Sequence, residues 1–492
     1  MPGSAGRERD AGRIVGIELG NRFRHGAAPA CRVVLGVMLG MASSRAETID
    51  QALALAYQNN PQLNSQRAVV RATDETVPQA LSGYRPTVIA TGAIGEQWTN
   101  SESRTVSQGS TGLSTSEAWS GLTGYTPSGV GVTVRQTLYD GLQTANRTRL
   151  AESNTSAARE VLRVIEQTVL VGATTAYMDV LRDGALLQLQ RRNVEVLQEQ
   201  VRQARVRFDL REVTRTDVAQ AESRLALGRA AVLGAQAQYA KSKASYRQVI
   251  GVEVASLTAA SPVDRLLPSR LVNAIETARS HHPNVGIAMF GIDGAVLQVK
   301  INAGLLYPTV GLVGGANYNW ESDLSTAVQQ FNAFAKAQIS VPIYQGGSEY
   351  ALIRQAKETV AQKRFDLDAA RDAVQQNVVQ TWAQLEAAKA QIQATQAQVA
   401  AAEVALNGVR EEARSGQRTT LDVLNAQQEL VNARSALVIA QHDRVVASYT
   451  LLAAVGQLNL PKLGIRIALY DPVVHYQQVR DAWVGIRTSH IR

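Results

Sequence analysis

The sequence predicts an α+β membrane protein made of two structural repeats, each a β-hairpin joined to a long α-helical hairpin. Three observations predict it. The chain repeats itself: Asn60-Pro61 recurs as His282-Pro283 and Arg85-Pro86 as Tyr307-Pro308, both 222 residues on. Further along the offset falls to 205, pairing Leu138-Tyr139-Asp140-Gly141 with Ile343-Tyr344-Gln345-Gly346, Asp217 with Asp422, and Gly251 with Gly456. A repeat of that length is a whole module rather than a short solenoid unit. Segments of about ten residues alternate apolar and polar side chains, as barrel strands do. Two long stretches carry apolar residues at every seventh position, the spacing of packed, supercoiled helices.

The first element is a leader, residues 1–46. Arg7, Arg9, Arg13, Arg22, Arg24 and Arg32 precede the apolar run Val33–Ala42, and Ser44-Arg45-Ala46 has small residues on either side of one position. That pattern reads as a signal peptide, and the run is too short to span a bilayer as a helix. The first repeat then covers residues 47–260 and the second 261–460, leaving a tail of 461–492. Each repeat opens with helices broken at Pro61 or Pro283, and a proline ends them before the strands. Strands are expected at 87–98 and 129–139, then at 309–320 and 334–344. Val130, Val132, Val134 and Leu138 share one face, against Gly131, Thr133, Arg135 and Thr137. Ala335, Ala337, Ile339, Val341 and Ile343 likewise oppose Lys336, Gln338 and Ser340. Trp98, Tyr139, Trp320 and Tyr344 lie near segment ends, where a barrel carries its membrane-interface aromatics. A half-buried soluble sheet would also alternate. The Ser-, Thr- and Gly-rich stretch 99–128 reads as an exposed loop, with the shorter 321–332 as its counterpart.

The helical hairpins are expected over 141–250 and 346–456. Val180, Leu187, Val194 and Val201 make the first seam; Leu385, Ile392, Val399 and Leu406 make the second. Thr381, Ala388, Thr395 and Ala402 beside it are small enough for close packing. Gly141 to Asp209 contains no proline and can run about 100 Å as one helix. The tail reads as a solvated extension.

Composition narrows the function. Half of the formal net charge of +8 belongs to the leader, so the rest of the chain is weakly basic and shows no aromatic-interleaved basic stripe for nucleic acid. The single cysteine, Cys31, sits in the leader, which removes disulfides and thiolate metal sites from the rest. His281 and His282 are adjacent, and no metal-ligand spacing, phosphate loop or nucleophile elbow occurs. Neither an enzyme nor a cofactor is expected.

Four strands per chain cannot close a barrel, and an open edge in lipid leaves backbone groups unpaired at several kcal/mol each. Two chains would give eight strands and three would give twelve with a wider lumen. The segments VPIYQGG (Val341–Gly347), RTDV (Arg215–Val218) and SGQRTTLDVLNA (Ser415–Ala426) resemble TolC, the family of outer-membrane efflux and type I secretion channels. The resemblance runs from about Thr48 to Leu460. It implies a homotrimer with a twelve-stranded outer-membrane β-barrel continued by a periplasmic α-helical barrel. It further implies a periplasmic adaptor and an inner-membrane pump of ABC or RND type as partners.

The same resemblance implies the site. Thr216 and Asp217 of the first hairpin and Arg418 of the second match the contacts that hold the periplasmic end closed. An Arg can also donate two charge-assisted hydrogen bonds to a carboxylate. Asp422 matches an acidic constriction, where three copies would form a cation-favouring ring. A carboxylate there also suits a helix N-terminus. Asn425 stands where the best-known channel has a second acid, and Ala413 where it has a tyrosine in the lock, so the gate should be looser or differently fastened. The turns Leu210-Arg211-Glu212 and Ser415-Gly416-Gln417 match the adaptor-docking tips. Arg211 replaces the family's glycine, so a left-handed turn there would be strained. The competing reading is a structural one: a trimeric coiled-coil envelope protein or adhesin with a β-barrel anchor.

Overall fold

The computed structural model describes residues 46–108, 110, 112, 114–320 and 329–486. All of the expected leader but Ala46, and most of the 321–332 connection, lie outside them. The first repeat begins with α1 (Ile49–Asn59), capped reciprocally by Thr48 and Gln51, then α2 (Pro61–Asp74) and α3 (Thr76–Leu81). The second begins with α6 (Leu271–His281) and α7 (Pro283–Gly304). The first pair of repeated X-Pro steps, Asn60-Pro61 and His282-Pro283, are helix starts. Asn60 Oδ1 accepts from the amides of Gln62 and Leu63 at 2.9 and 3.2 Å, and His282 Nδ1 accepts from Asn284 N at 3.1 Å. Proline follows at the first helical position, where no amide is needed. A histidine accepts only when neutral; burial, with Arg163 nearby, pushes His282 down to about 4.

The strands are β1 (Thr87–Ile94), β2 (Gln97–Gln108), β3 (Ser114–Tyr125), β4 (Ser128–Asp140), β5 (Thr309–Trp320) and β6 (Gln329–Ser340). They form an antiparallel sheet in the order β1-β4-β5-β6 and a separate β2-β3 hairpin. This corrects three expectations. The strand expected at 87–98 stops at Ile94, and Gly95 N instead bonds Pro127 O at 3.0 Å. The expected loop 99–128 is mostly β-hairpin, paired from Gln97↔Tyr125 to Gln108↔Ser114. The segment is rich in Ser and Thr with few, unevenly spaced apolar residues, so no period-two signal marked it. The strand expected at 334–344 is β6 at 329–340, and Val341–Gln345 is irregular.

The four-stranded sheet sorts its side chains by face. Val88, Val134, Gly314 and Ala335 stand in one row, and Ala90, Val132, Ala316 and Ala333 in the next. The opposite face carries Thr91, Gly131, Asn317 and Asn332, and also Arg135 and Lys336 on either side of Val313. A bulge lies at Leu138, between Thr137↔Gly311 and Tyr139↔Val310. The extra residue moves Tyr139 onto the apolar face beside Val310 and Ile339, which the unbroken alternation had assigned to Leu138.

From the sheet descend α4 (Gln143–Asp209) and α5 (Arg215–Ile250), then α8 (Ser348–Arg414) and α9 (Thr420–Ala454). The helices α4 and α8 each have 67 residues, about 100 Å at 1.5 Å per residue. Val180, Leu187 and Val201 are buried on the first seam, and Leu385 and Leu406 on the second, with Thr381, Ala388 and Thr395 beside it. Leu271–Gly304 is long and apolar enough to cross a membrane, which the sequence pattern alone did not indicate. It is α6 and α7, broken at His282, and α7 packs between α4 and α8.

The main core lies part-way down the helices, where α1, α2, α4, α5 and α9 meet around Tyr57, Leu170, Tyr177 and Tyr449. Tyr177 Oη lies 2.9 and 2.7 Å from the carbonyls of Glu47 and Thr258, tying both ends of the first repeat to α4. Among the described residues the tail is not a solvated extension. From α10 (Leu460–Leu463) the chain leads to α11 (Pro472–Val479), which packs against α2. There buried His475 meets buried Asp74 at 3.0 Å, with Arg159 3.8 Å from the same carboxylate. Burial raises the Asp74 carboxyl above its ordinary value. The expectation failed because the tail docks through single side chains rather than a periodic face.

Candidate gate and docking site at the hairpin tips

The two hairpin tips are built alike. At the end of α4, Glu212 N donates to Arg207 O at 2.8 Å and Arg211 N to Phe208 O at 2.9 Å. At the end of α8, Gln417 N donates to Glu412 O at 2.8 Å and Gly416 N to Ala413 O at 3.3 Å. Both are Schellman caps, which need a left-handed residue after the helix. Gly416 supplies it at φ 79°, whereas Arg211 adopts φ 63° with a side chain attached. Leu210, Arg211 and Ser415, Gly416 and Gln417 are exposed, as is most of Glu212.

The returning helices start with paired capping boxes. Thr214 Oγ1 accepts from Asp217 N, and Asp217 Oδ2 accepts from Thr214 N and Oγ1 at 2.9 and 2.7 Å. Thr419 and Asp422 repeat this at 3.0 and 2.9 Å. The sequence carried the signal as Thr-x-x-Asp at both places. Asp422 therefore has a local structural task. Its bonds from the Thr419 amide and hydroxyl, with Arg418 nearby, hold its carboxyl below the usual range, so it remains ionised.

Within the chain, Arg418 is not joined to Thr216 or Asp217. Its Nε lies 2.9 Å from Glu412 Oε2 of the same tip, and Thr216 is exposed in the first turn of α5. The two hairpins do meet further in. Arg224 NH2 of α5 donates to Asn425 Oδ1 of α9 at 3.0 Å. Beside that bond, Leu424 is buried with Leu197, Val201, Ala204 and Ala221. Sequence reasoning missed Arg224, because a lone Arg on an exposed helix face has no local pattern. The replacement of an acid by Asn425 was the available clue. An open groove of about 600 Å³ flanks the first tip, lined in part by Arg202, Arg205, Asp209, Glu222 and Arg229. Arg205 and Glu222 bridge α4 and α5 across it at 2.5 Å.

Of the four expected interface aromatics, two lie in the four-stranded sheet. Tyr139 is at its helix-side end, and Trp320 at the far end, 4.7 Å from the Tyr318 ring centroid. Trp98 belongs instead to the β2-β3 hairpin, over Gly124. Tyr344 follows β6, outside the sheet, and is 80% exposed.

A fold with two such repeats has known relatives. The profile of the outer membrane efflux protein family matches residues 52–252 and 274–457, most of both repeats. The outer membrane efflux protein BepC of Brucella suis is 41% identical over 461 residues, 93% of this chain and 96% of its own length. The outer membrane protein TolC of Vibrio cholerae is 25% identical over 432 residues, covering 86% of this chain and 94% of its own. The solved structure of the Campylobacter jejuni CmeC outer membrane channel shares the fold at a TM-score of 0.68 and 14% identity, over 88% of this chain and 89% of its own. The chain belongs to the outer membrane efflux protein family, as a transport channel of the outer membrane whose helices extend into the periplasm.

Proposed function

We propose that three copies form a passive exit duct, gated at its periplasmic end, for an inner-membrane pump and its adaptor. The observation that carries this reading is the sheet itself. Its apolar face suits lipid, yet among the described residues β1 and β6 are bare edges, which neighbouring copies can pair in the hydrocarbon layer. Twelve strands then enclose a polar lumen, and the α4–α5 and α8–α9 hairpins continue it into the periplasm. The duct conducts without chemistry of its own, and the pump, of ABC or RND type, selects the cargo.

In this reading the tips are the gate. Arg418 of one copy faces Thr216 and Asp217 of the next, while Glu412 offers the same guanidinium a local alternative. Such an exchange of partners lets the gate switch with little net cost. Asp422 contributes a ring of three carboxylates, and Asn425 bonds Arg224 where a second ring could have been. That bond, with Leu424, fastens the two hairpins of one copy and takes over part of the missing tyrosine's task. Leu210–Glu212 and Ser415–Gln417 are the adaptor-docking turns.

Single-channel recording in a planar bilayer tests the proposal. The native trimer should give a small, long-lived conductance, and Arg418→Ser or Arg224→Ala should enlarge it several-fold. Folded trimers that stay silent in all three forms would overturn the duct and favour a structural envelope protein.

A further inference from the structure

The C-terminal segment continues past α11 towards the four-stranded sheet. Tyr476 Oη lies 3.2 Å from Glu152 Oε1, and Arg480 lies 3.8 Å from the same carboxylate, so the segment follows the upper part of α4. It then reaches Arg85, two residues before β1 begins. Arg85 NH1 donates to Ala482 O at 2.6 Å, and its guanidinium stacks on the Trp483 ring at 4.8 Å. Trp483 is thereby held at the helix-side end of the four-stranded sheet.

Beyond that clamp the segment becomes apolar and fully projected. Trp483, Val484 and Ile486 are 67%, 94% and 101% exposed, although the same tail buries His475. Apolar exposure on this scale marks a contact surface. The other strands present similar groups at the same end. Tyr139 lies near the end of β4, Tyr307 precedes β5, and Ile343 and Tyr344 follow β6, at 36%, 53%, 95% and 80% exposure. The residues directly before β1 are Arg85 and Pro86, and Trp483 supplies the missing aromatic there. Aromatic belts sit where the hydrocarbon layer meets water.

We propose that Trp483–Ile486 is a membrane-interface anchor that inserts into the periplasm-facing lipid surface at the foot of the barrel. The proposal rests on reading the β1-β4-β5-β6 sheet as the barrel wall. A guanidinium held between an indole and a carbonyl fixes the indole's position, and the aliphatic side chains after it enter the lipid. The anchor couples the core-docked tail to the bilayer, so the helical part cannot tilt freely against the barrel.

The test uses the full chain with Cys31→Ser, which leaves it free of cysteine, and a nitroxide at Val484→Cys. The protein is reconstituted in phosphatidylethanolamine–phosphatidylglycerol vesicles, and collision rates with oxygen and a water-soluble nickel chelate are compared. Reference labels sit at Val132→Cys, on the apolar face of β4, and at Gln417→Cys, on an exposed tip. The anchor predicts an oxygen-to-nickel ratio at 484 several-fold above that at 417 and approaching that at 132. Free access of nickel overturns it. Exclusion of both agents also overturns it and assigns the segment to a contact with a neighbouring copy, the exposed Ile343 and Tyr344 being the nearest candidates by sheet order. A nickel-accessible label at 132 would instead refute the barrel reading on which the anchor rests.

Discussion

Arg211 and Gly416 occupy equivalent positions 205 residues apart, and both carry positive φ, at 63° and 79°. Only the glycine does so without a Cβ meeting its own backbone, and the left-handed state costs other residues about 1–2 kcal/mol. The same contrast recurs at the head of the long helices, where Leu142 at φ 64° answers Gly347 at φ 84°. Arg211→Gly should therefore stabilise the first tip by about 1 kcal/mol. Amide exchange at Arg211 and Glu212, whose N–H groups close the cap, should slow roughly five-fold by the standard relation of local opening to free energy. Unchanged exchange at both amides would show that the tip relaxes the strain elsewhere. The left-handed arginine sits in an otherwise satisfied tip, with both Schellman bonds made at the end of α4 and a full capping box at Thr214 opening α5.

At the scale of elements, the joint between the repeats is where α9 crosses α4. His442 of α9 is buried, with Nε2 2.9 Å from Asp179 of α4 and Nδ1 2.8 Å from Asp443. Arg182, itself paired with Asp179 and Asp183, faces the same imidazole. Burial lowers the His442 pKa, but the two carboxylates outweigh it and the net shift is upward. A raised folded value means that the stabilisation is complete below the ordinary imidazole pKa of about 6.5 and fades as pH rises through the folded value. The α4–α9 joint should thus unfold more readily at pH 8 than at pH 6, and His442→Gln should flatten that difference. A variant with the native pH profile would place the sensitivity elsewhere. This joint was not legible in the sequence, because its partners are 263 residues apart and none repeats. The helices, the seams and the helix-start prolines were legible, because each rests on a local period or a fixed φ. The β2-β3 hairpin and the docked tail were not, since a Ser- and Thr-rich sequence and single buried pairs leave no periodicity to read. Asp217 and Asp422 were legible as residues but half-read as chemistry. Their spacing from Thr214 and Thr419 also specified a cap, which the structure now adds to any role at the pore.

For the whole molecule, the decisive feature is that, among the described residues, the four-stranded sheet has two bare edges while the β2-β3 hairpin pairs only with itself. The two sheets should therefore respond differently to deletion. Removing residues 97–125 takes away a hairpin that contributes no strand to the wall, and Gly95 already bonds Pro127 at its base. The shortened protein in detergent should still have the mass of three copies by light scattering and should conduct as the native channel does. In the proposed duct, closure sets the expected number. Two copies would supply eight strands, enough only for a lumen filled by side chains, and three supply twelve. The polar face carries Arg135, Lys336, Asn317 and Asn332, whose ionic and amide groups need water that an eight-stranded interior cannot hold. A two-copy mass would therefore overturn both the twelve-stranded wall and the duct. A monomer produced only by the deletion would show instead that β2-β3 reaches across to a neighbouring copy and holds the ring together from outside the membrane.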